Sequence, residues 1–446
     1  MLASPALLRR VIGQCIEDKD EQGHDVSGLA DTLAAAPDSY DDLLSVADEL
    51  YVRPLRPGWG YDEPSELDAI LAAADRAPRI VAVADWEKVR ARVRTAFLAR
   101  VAGCILGKPF EFDPTMDELR EVLEAAGEWP LDDYVTEATA SLLRQPQPQW
   151  PELVRERITH VAPDDDINYT VLAMLLLEQH GDDFTSDDVR TMWMRQLPIA
   201  ATFGPERVQL IAIALASLGG MLGETVARTG WADFLNPTEE HCGALIRADA
   251  YGYAHPGDPV AAARAAYVDS SVTHRRTGVY ATMWVAAAIS LALVSDPTDR
   301  LAAFEDALCV VPSRSRFAAV IRDSLVEVRA AADWEDAYRR IHGAYASYTH
   351  CRVYQEVGTL MITMRFAIDV GHGIGMQVGM GNDTDSFGAT AGSLLGALLG
   401  PDAFDEEHWL GRFNDRVHLA LATEWETSLE ALATRMSALP TPSPNT

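Results

Sequence analysis

Acidic residues crowd into two short stretches of this chain, at spacings that suit chemistry. The first is Asp164-Asp165-Asp166, set in His160-Val-Ala-Pro-Asp-Asp-Asp-Ile-Asn-Tyr-Thr just ahead of the apolar run VLAMLLLEQH. Three adjacent carboxylates repel one another, so something must offset that cost. An Asp at a helix start caps free N–H groups and faces the positive end of the helix dipole. Capping needs one such residue; the other reading is a hard divalent cation such as Mg²⁺, which takes oxygen ligands. The second stretch is Gly381-Asn382-Asp383-Thr384-Asp385-Ser386, again at a predicted helix start. The glycines ahead of it, from Gly371 to Gly381, predict a backbone that curls tightly around a ligand. The helix behind it carries Gly388, Gly392, Gly396 and Gly400, a small-residue stripe that lets another helix approach closely. Acidic side chains at the mouth of such a deeply packed helix are costly to bury without a cation.

The elements that must position these residues read as helices throughout. Apolar residues recur at three-to-four spacing, as in Val93, Phe97, Val101 and Ile105, or Val285, Ile289 and Leu293. Alternating β-branched segments are scarce, so the predicted fold class is all-α. Residues 1–85 form an acidic, helix-prone extension or small domain that includes the loop-like stretch Arg53–Glu66. The main body is predicted over 86–436, and the Pro/Ser-rich residues 437–446 as a disordered tail.

Composition narrows the function. A net charge of −30 argues against nucleic acid or an anionic membrane as a general partner, since both need a positive face. No window approaches the roughly 20 apolar residues that span a bilayer, and the N-terminal residues lack the pattern of a leader peptide. The five cysteines, Cys15, Cys104, Cys242, Cys309 and Cys351, are scattered with no CxxC pair. That spacing fits a reducing compartment and argues against a disulfide framework or a zinc-thiolate site. A cytoplasmic protein is expected.

Three segments, in order, resemble the ADP-ribosylglycohydrolase family, which also contains the dinitrogenase-reductase-activating glycohydrolases and the J1 crystallins. Gly103-Cys-Ile-Leu-Gly-Lys-Pro-Phe-Glu111 is similar to that family's G-D-A-L-G-x-P-x-E. Asp164-Asp-Asp-Ile-Asn-Tyr-Thr170 is similar to its T-D-D-T-x-x-T, and Gly381-Asn-Asp-Thr-Asp-Ser386 to its G-G-D-T-D-T. Weaker echoes are Gly243-Ala-Leu-Ile-Arg247 and Thr273-His274, and the resemblance spans roughly residues 88–425. It implies a multi-helix bundle around two Mg²⁺ ions, with Mn²⁺ as an alternative, that hydrolyses the bond from C1 of a ribosyl group to nitrogen or oxygen. By position it implies Asp164, Asp165, Asp166, Asp383, Asp385 and Ser386 as metal ligands, with Asp164 an added one. Asp385 and Glu111 become the catalytic carboxylates, and Gly243, Arg247, His274 and Asn382 lie toward the substrate. This chain departs from the pattern where Asp164 replaces Thr, Cys104 replaces Asp, Cys242 replaces Asn, Asn382 replaces Gly and Ser386 replaces Thr. The metal ligands are largely kept while neighbouring positions have drifted. An ADP-ribosylated protein and a ribosylated small molecule or nucleoside-like compound both stand as substrates.

Other features invite blander readings. His255, His274, His350 and His372 form no HxxxH or HExxH pattern, which suits surface or hydrogen-bonded histidines. His274-Arg275-Arg276 could meet a phosphate or make an ordinary salt bridge at a helix start. Trp150, Trp193, Trp231, Trp284 and Trp409 read as packing anchors rather than adenine platforms. Tyr348 and Tyr354 flank His350-Cys351, where base stacking is a further option. Two other functions remain open at this point. Asp164-Asp165-x-x-Asn168 mimics the DDxxD of a Mg²⁺-dependent terpene-synthase-like lyase, although Thr390 stands where its second motif needs Glu. A crystallin-like binding protein without turnover is the non-enzymatic alternative.

Overall fold

Ser4 accepts a hydrogen bond from the backbone N–H of Leu7 and so starts helix α1 (Pro5–Glu21). Helix α2 (Leu29–Ala35) follows, and Ser39, capping Asp42, starts α3 (Tyr40–Tyr51). Leu8, Ile12, Leu29, Leu33, Leu43 and Leu50 turn inward to make an apolar cluster separate from the main core. Full burial of each such side chain is worth about 1.5–3 kcal/mol, enough to hold these three short helices together as a unit. Helix α4 (Leu67–Ala73) already belongs to the main core, where its Ile70 is fully buried. The chain thus joins the main body well before residue 85. The computed structural model describes residues 4–112, 114–221, 234–348 and 350–440.

The main body is built on α5 (Trp86–Gly107), α6 (Asp165–His180), α7 (Thr277–Ala292), α8 (Tyr354–Phe366), α9 (Val370–Gly379), α10 (Thr384–Leu399) and α11 (Leu429–Ala438). Among the described residues only isolated β-bridges occur, and no helix is long and apolar enough to cross a membrane. The all-α expectation holds. Every residue of α7 is buried, as a helix that is apolar on all sides must be. Its Trp284 stacks on Phe304 at 4.8 Å, and Trp193, Trp284 and Trp409 all lie in the core. Trp231 falls outside the described residues.

The glycine stripe fixes how α10 meets α5. A Cβ on Gly388 would stand 2.6 Å from the Gly103 carbonyl oxygen, one on Gly396 2.6 Å from the Cα of Ala96, and one on Gly392 would run into the Ala99 carbonyl. Both backbones therefore touch along several turns. Gly400 does another job: it follows the last residue of α10 with φ +78°, a positive-φ backbone that glycine adopts freely, and the helix ends there. Gly392→Ala is expected to destabilise the full chain by about 1–3 kcal/mol in urea unfolding, because a rigid carbonyl cannot move aside. An unchanged midpoint would mean the two helices have room to part.

The glycine-rich segment ahead of the second acidic motif is not a loop. Residues 370–379 form α9, capped by Asp369. Its glycines serve packing, since a Cβ on Gly375 would meet the Leu131 carbonyl and one on Gly373 the side chain of Leu395. Only Gly381 (φ +82°) and Asn382 (φ +65°) turn left-handed, just before the motif. At the other end of the chain α11 runs through Ala438, inside the predicted tail, and residues 441–446 lie outside the described ones.

Candidate functional site

Helix α5 ends at Gly107, and its close approach to α10 delivers the following residue, Lys108, to the start of that helix. Thr384 Oγ donates to the Gly107 carbonyl at 2.8 Å, locking the two ends together. A short bridge pairs Thr115 with Gly381, and the Asn382 N–H donates to the Pro114 carbonyl at 2.7 Å. The segment just past Glu111 is thereby tied to the Gly-Asn-Asp-Thr-Asp-Ser turn. Helix α6 brings the triple-Asp segment in from the third side. Ser386 Oγ donates to Asp166 Oδ2 at 3.1 Å, so the two acidic motifs are in direct contact.

Lys108 is the group that sequence reasoning missed. Its ammonium bonds Asp164 and lies 3.7 Å from Asp385 and 3.8 Å from Glu111. Burial opposes that charge, but Asp164, Asp385 and Glu111 outweigh it and hold the ammonium well above its ordinary pKa. Asp164, the N-cap of α6, uses one oxygen to accept the Asp166 N–H at 2.8 Å and the other to accept Lys108. Burial works against its charge as well, yet Lys108 keeps it below the usual carboxylate range. The extra acid that departs from the family pattern is thus compensated, because an ammonium comes with it. No motif spacing points to this, because a lone lysine in Gly-Lys-Pro reads as an ordinary turn residue.

The remaining acids are less well matched. Asp165 and Asp166 are both pushed well above the usual carboxylate range, first by burial and then by the neighbouring Asp164. Asp385 is raised by burial too, despite Lys108. Arg100 gives one nitrogen to Asp249 at 2.9 Å and the other to Asp166 at 3.2 Å, so its charge is divided between two acids. Glu111 sits at the rim with its side chain 31% exposed. Beside it Phe110, Phe112, Pro114, Leu119 and Leu142 line a cleft of about 550 Å³.

Asp383 reaches Asp385 on one side and a thiol on the other. It occupies the N-cap position of α10 but makes no capping bond. Its carboxylate accepts the Cys242 thiol at 3.1 Å, and the Cys351 sulfur lies in the same group. The hydrogen bond to Cys351 and then burial keep the Cys242 thiol well above its ordinary pKa. Cys242 and Cys351, far apart in the sequence, thus meet in the fold, and none of the five cysteines forms a disulfide.

The expected substrate-side residues divide. Asn382 stands in the turn itself, donating to Glu356 at 3.4 Å. Arg247 is fully occupied by the protein: it bonds Glu206, lies 3.1 Å from Asp269 and 3.0 Å from Thr273 Oγ, and stacks over Trp193 at 4.8 Å. Gly243 gives its carbonyl to Arg247, and a side chain there would press on Glu206 at 2.9 Å. His274 is buried against Thr273 Oγ at 2.7 Å, and burial followed by Arg247 holds its imidazole well below its ordinary pKa. Arg276 makes a salt bridge to Glu239 at 3.2 Å, and Arg275 bonds backbone carbonyls. The basic triplet thus braces a helix start. Glu239 also takes Lys19 at 2.8 Å, while Arg352 holds Asp18 at 2.7 Å. The N-terminal extension is therefore clamped onto segments adjoining Cys242 and Cys351. Tyr348 and Tyr354 meet edge to face at 4.8 Å, each packing on the other.

The core is all-helical and brings carboxylates together at two helix starts. The chain matches the ADP-ribosylglycohydrolase family over residues 85–442 and belongs to it. This sets aside the lyase reading. Among solved structures, an "ADP-ribosylglycohydrolase-related protein complex" is 20% identical, with a TM-score of 0.45; the match covers 80% of this chain and 100% of that one. No curated protein matches the sequence.

Proposed function

We propose that this protein is a metal-dependent hydrolase of a ribosyl C1 glycosidic bond, acting on an ADP-ribosylated protein or a ribosylated small molecule. The observation that carries the reading is the meeting of the three motif segments at one point, with Ser386 on Asp166 and Lys108 between Asp164, Asp385 and Glu111. The donor set fits a hard divalent cation, Mg²⁺ or Mn²⁺. Asp166 and Asp385 are buried acids and Asp165 a partly buried one, and the resident cations do not cancel their mutual repulsion; oxygen donors suit such ions. Asp165, Asp166, Asp385 and Ser386 would hold such an ion, whereas Asp164 is already taken by Lys108. An ion held there would polarise water and neutralise charge as the glycosidic bond breaks.

The chain's own residues supply the rest. Lys108 holds Asp164 and Asp385 at fixed positions and favours the ionised form of each. Glu111, on the rim and 3.8 Å from that ammonium, accepts the proton of the attacking water. The cleft lined by Phe110 and Phe112, the chain neighbours of Glu111, receives the leaving group. Asn382 contacts the substrate, while Gly243, Arg247 and His274 position the turn Cys242–Arg247 behind it. Five free thiols support a reducing, cytoplasmic setting.

Glu111→Gln is expected to lower kcat by about 10²–10⁴-fold, the usual contribution of a positioned acid–base group. Mg²⁺ affinity, read by calorimetric titration, should stay within about twofold, since the ligands remain. Equal losses in both would make Glu111 a ligand rather than a proton acceptor. Release of ribosyl product from ADP-ribosyl-arginine, ADP-ribosyl-serine, O-acetyl-ADP-ribose and simple nucleosides tests the reading as a whole and identifies the leaving group.

A further inference from the structure

We infer that Cys242, Cys351 and Asp383 form a site for a thiophilic divalent cation of the zinc type, at the edge of the acidic cluster. The two sulfurs and a carboxylate oxygen of Asp383 lie within 4.8 Å of one another, a separation that one ion can bridge with small side-chain movements. Two thiolates and one carboxylate are donors that zinc accepts, and sulfur ligands select against Mg²⁺. Three protein donors leave a fourth position for water or a substrate oxygen, the arrangement of catalytic rather than structural zinc.

The surroundings are built for this. Cys242 opens the turn Cys242–Arg247, and Cys351 lies in the turn His350–Arg352. Each turn is braced from outside: Arg247 is locked onto Glu206 and Asp269, and Arg352 onto Asp18 and Glu21 of α1. Asp383 heads a helix without capping it, so its carboxylate is directed to Cys242 instead of to the backbone. Cys242 is buried and Cys351 half-exposed, which gives an ion a route in from the surface. On binding, each thiol releases its proton to solvent and no electron is transferred.

A second group, Cys104 with Asp164 and Asp166, also lies within 4.8 Å. It has one sulfur, and Asp164 already holds Lys108. The Cys242 group is therefore the thiophilic site, and the oxygen-rich side is left to a harder ion. The inference does not depend on which bond the enzyme breaks.

The test is cobalt titration of the full-length, reduced, metal-free protein, followed by near-ultraviolet absorption. The expected result is an intense thiolate-to-cobalt charge-transfer band that saturates at one ion per chain and is displaced by Zn²⁺ but not by Mg²⁺. Cys351→Ser and Cys242→Ser should each weaken the band strongly and lower Zn²⁺ affinity by at least about 100-fold, since losing even a group that only orients a ligand costs about 10–100-fold. Cys309→Ser, at a buried thiol in the core away from this group, should leave the band unchanged. Circular dichroism of each variant separates loss of a ligand from loss of the fold, and half-exposed Cys351 serves as the second variant should Cys242→Ser unfold. Cobalt binding without a charge-transfer band, or a band that survives in folded Cys351→Ser, overturns the inference. A band in a protein that cleaves no ribosyl bond upholds the site and removes the hydrolytic reading, so the two fail separately.

Discussion

Asp385→Asn is expected to reduce turnover by about 10³-fold or more while the helical fold persists. Asp385 stands in the first turn of α10, 3.7 Å from the Lys108 ammonium. It is the one carboxylate of the second motif that faces the triple-Asp segment through that lysine. Asparagine keeps the size and the local bond to the Ser386 N–H but removes the charge that a cation and a developing positive sugar ring would meet. Electrostatic stabilisation of this kind is worth several kcal/mol, and about 1.4 kcal/mol corresponds to each tenfold in rate. Steady-state kinetics with Mg²⁺ titration and circular dichroism read the three quantities separately. Undiminished turnover would remove Asp385 from the reaction and with it the placement of the site.

Arg247→Met is expected to act in the opposite way, through stability. The guanidinium is about 1% exposed and bonds Glu206 and Asp269, which are themselves buried. Its removal leaves two carboxylates without their cation in a site that water cannot reach. Breaking a buried pair by deleting one partner costs about 3–5 kcal/mol, a large share of the stability of a typical domain. Methionine keeps most of the volume against Trp193, so the loss reports the charge rather than a cavity. Urea unfolding of the full chain measures it. A variant as stable as the parent, with KM raised tenfold, would instead place Arg247 on the substrate.

These two residues mark what the sequence made legible. The helices were readable because buried positions such as Val93, Phe97 and Val101 repeat with the period of the helix, and the glycine stripe announced a close helix pair that α5 and α10 then make. That the two acidic motifs would meet was readable because both sit at helix starts, and Ser386 does reach Asp166. Lys108 was not readable, since nothing in Gly-Lys-Pro tells that three carboxylates will surround it. Arg247 shows the same difficulty: an arginine in a motif does not disclose whether its partner is a ligand or a buried Glu206. Cys242 and Cys351 are far apart in the chain, and only tertiary packing brings their sulfurs to Asp383. Gly371 to Gly379 misled because glycine permits both a tight loop and a helix with a neighbour's backbone against it. The choice lay in where Leu131 and Trp409 would end up.

The most direct measurement is ribosyl product release by metal-free protein, before and after Mg²⁺ or Mn²⁺ is added, over the panel of ADP-ribosyl and nucleoside substrates. The expected result is cleavage of a C1 ribosyl bond only after metal is added, lost again with chelator and restored by back-titration. Cleavage at the same rate in excess chelator, or no ribosyl bond broken under any metal, would contradict a metal-dependent ribosyl hydrolase.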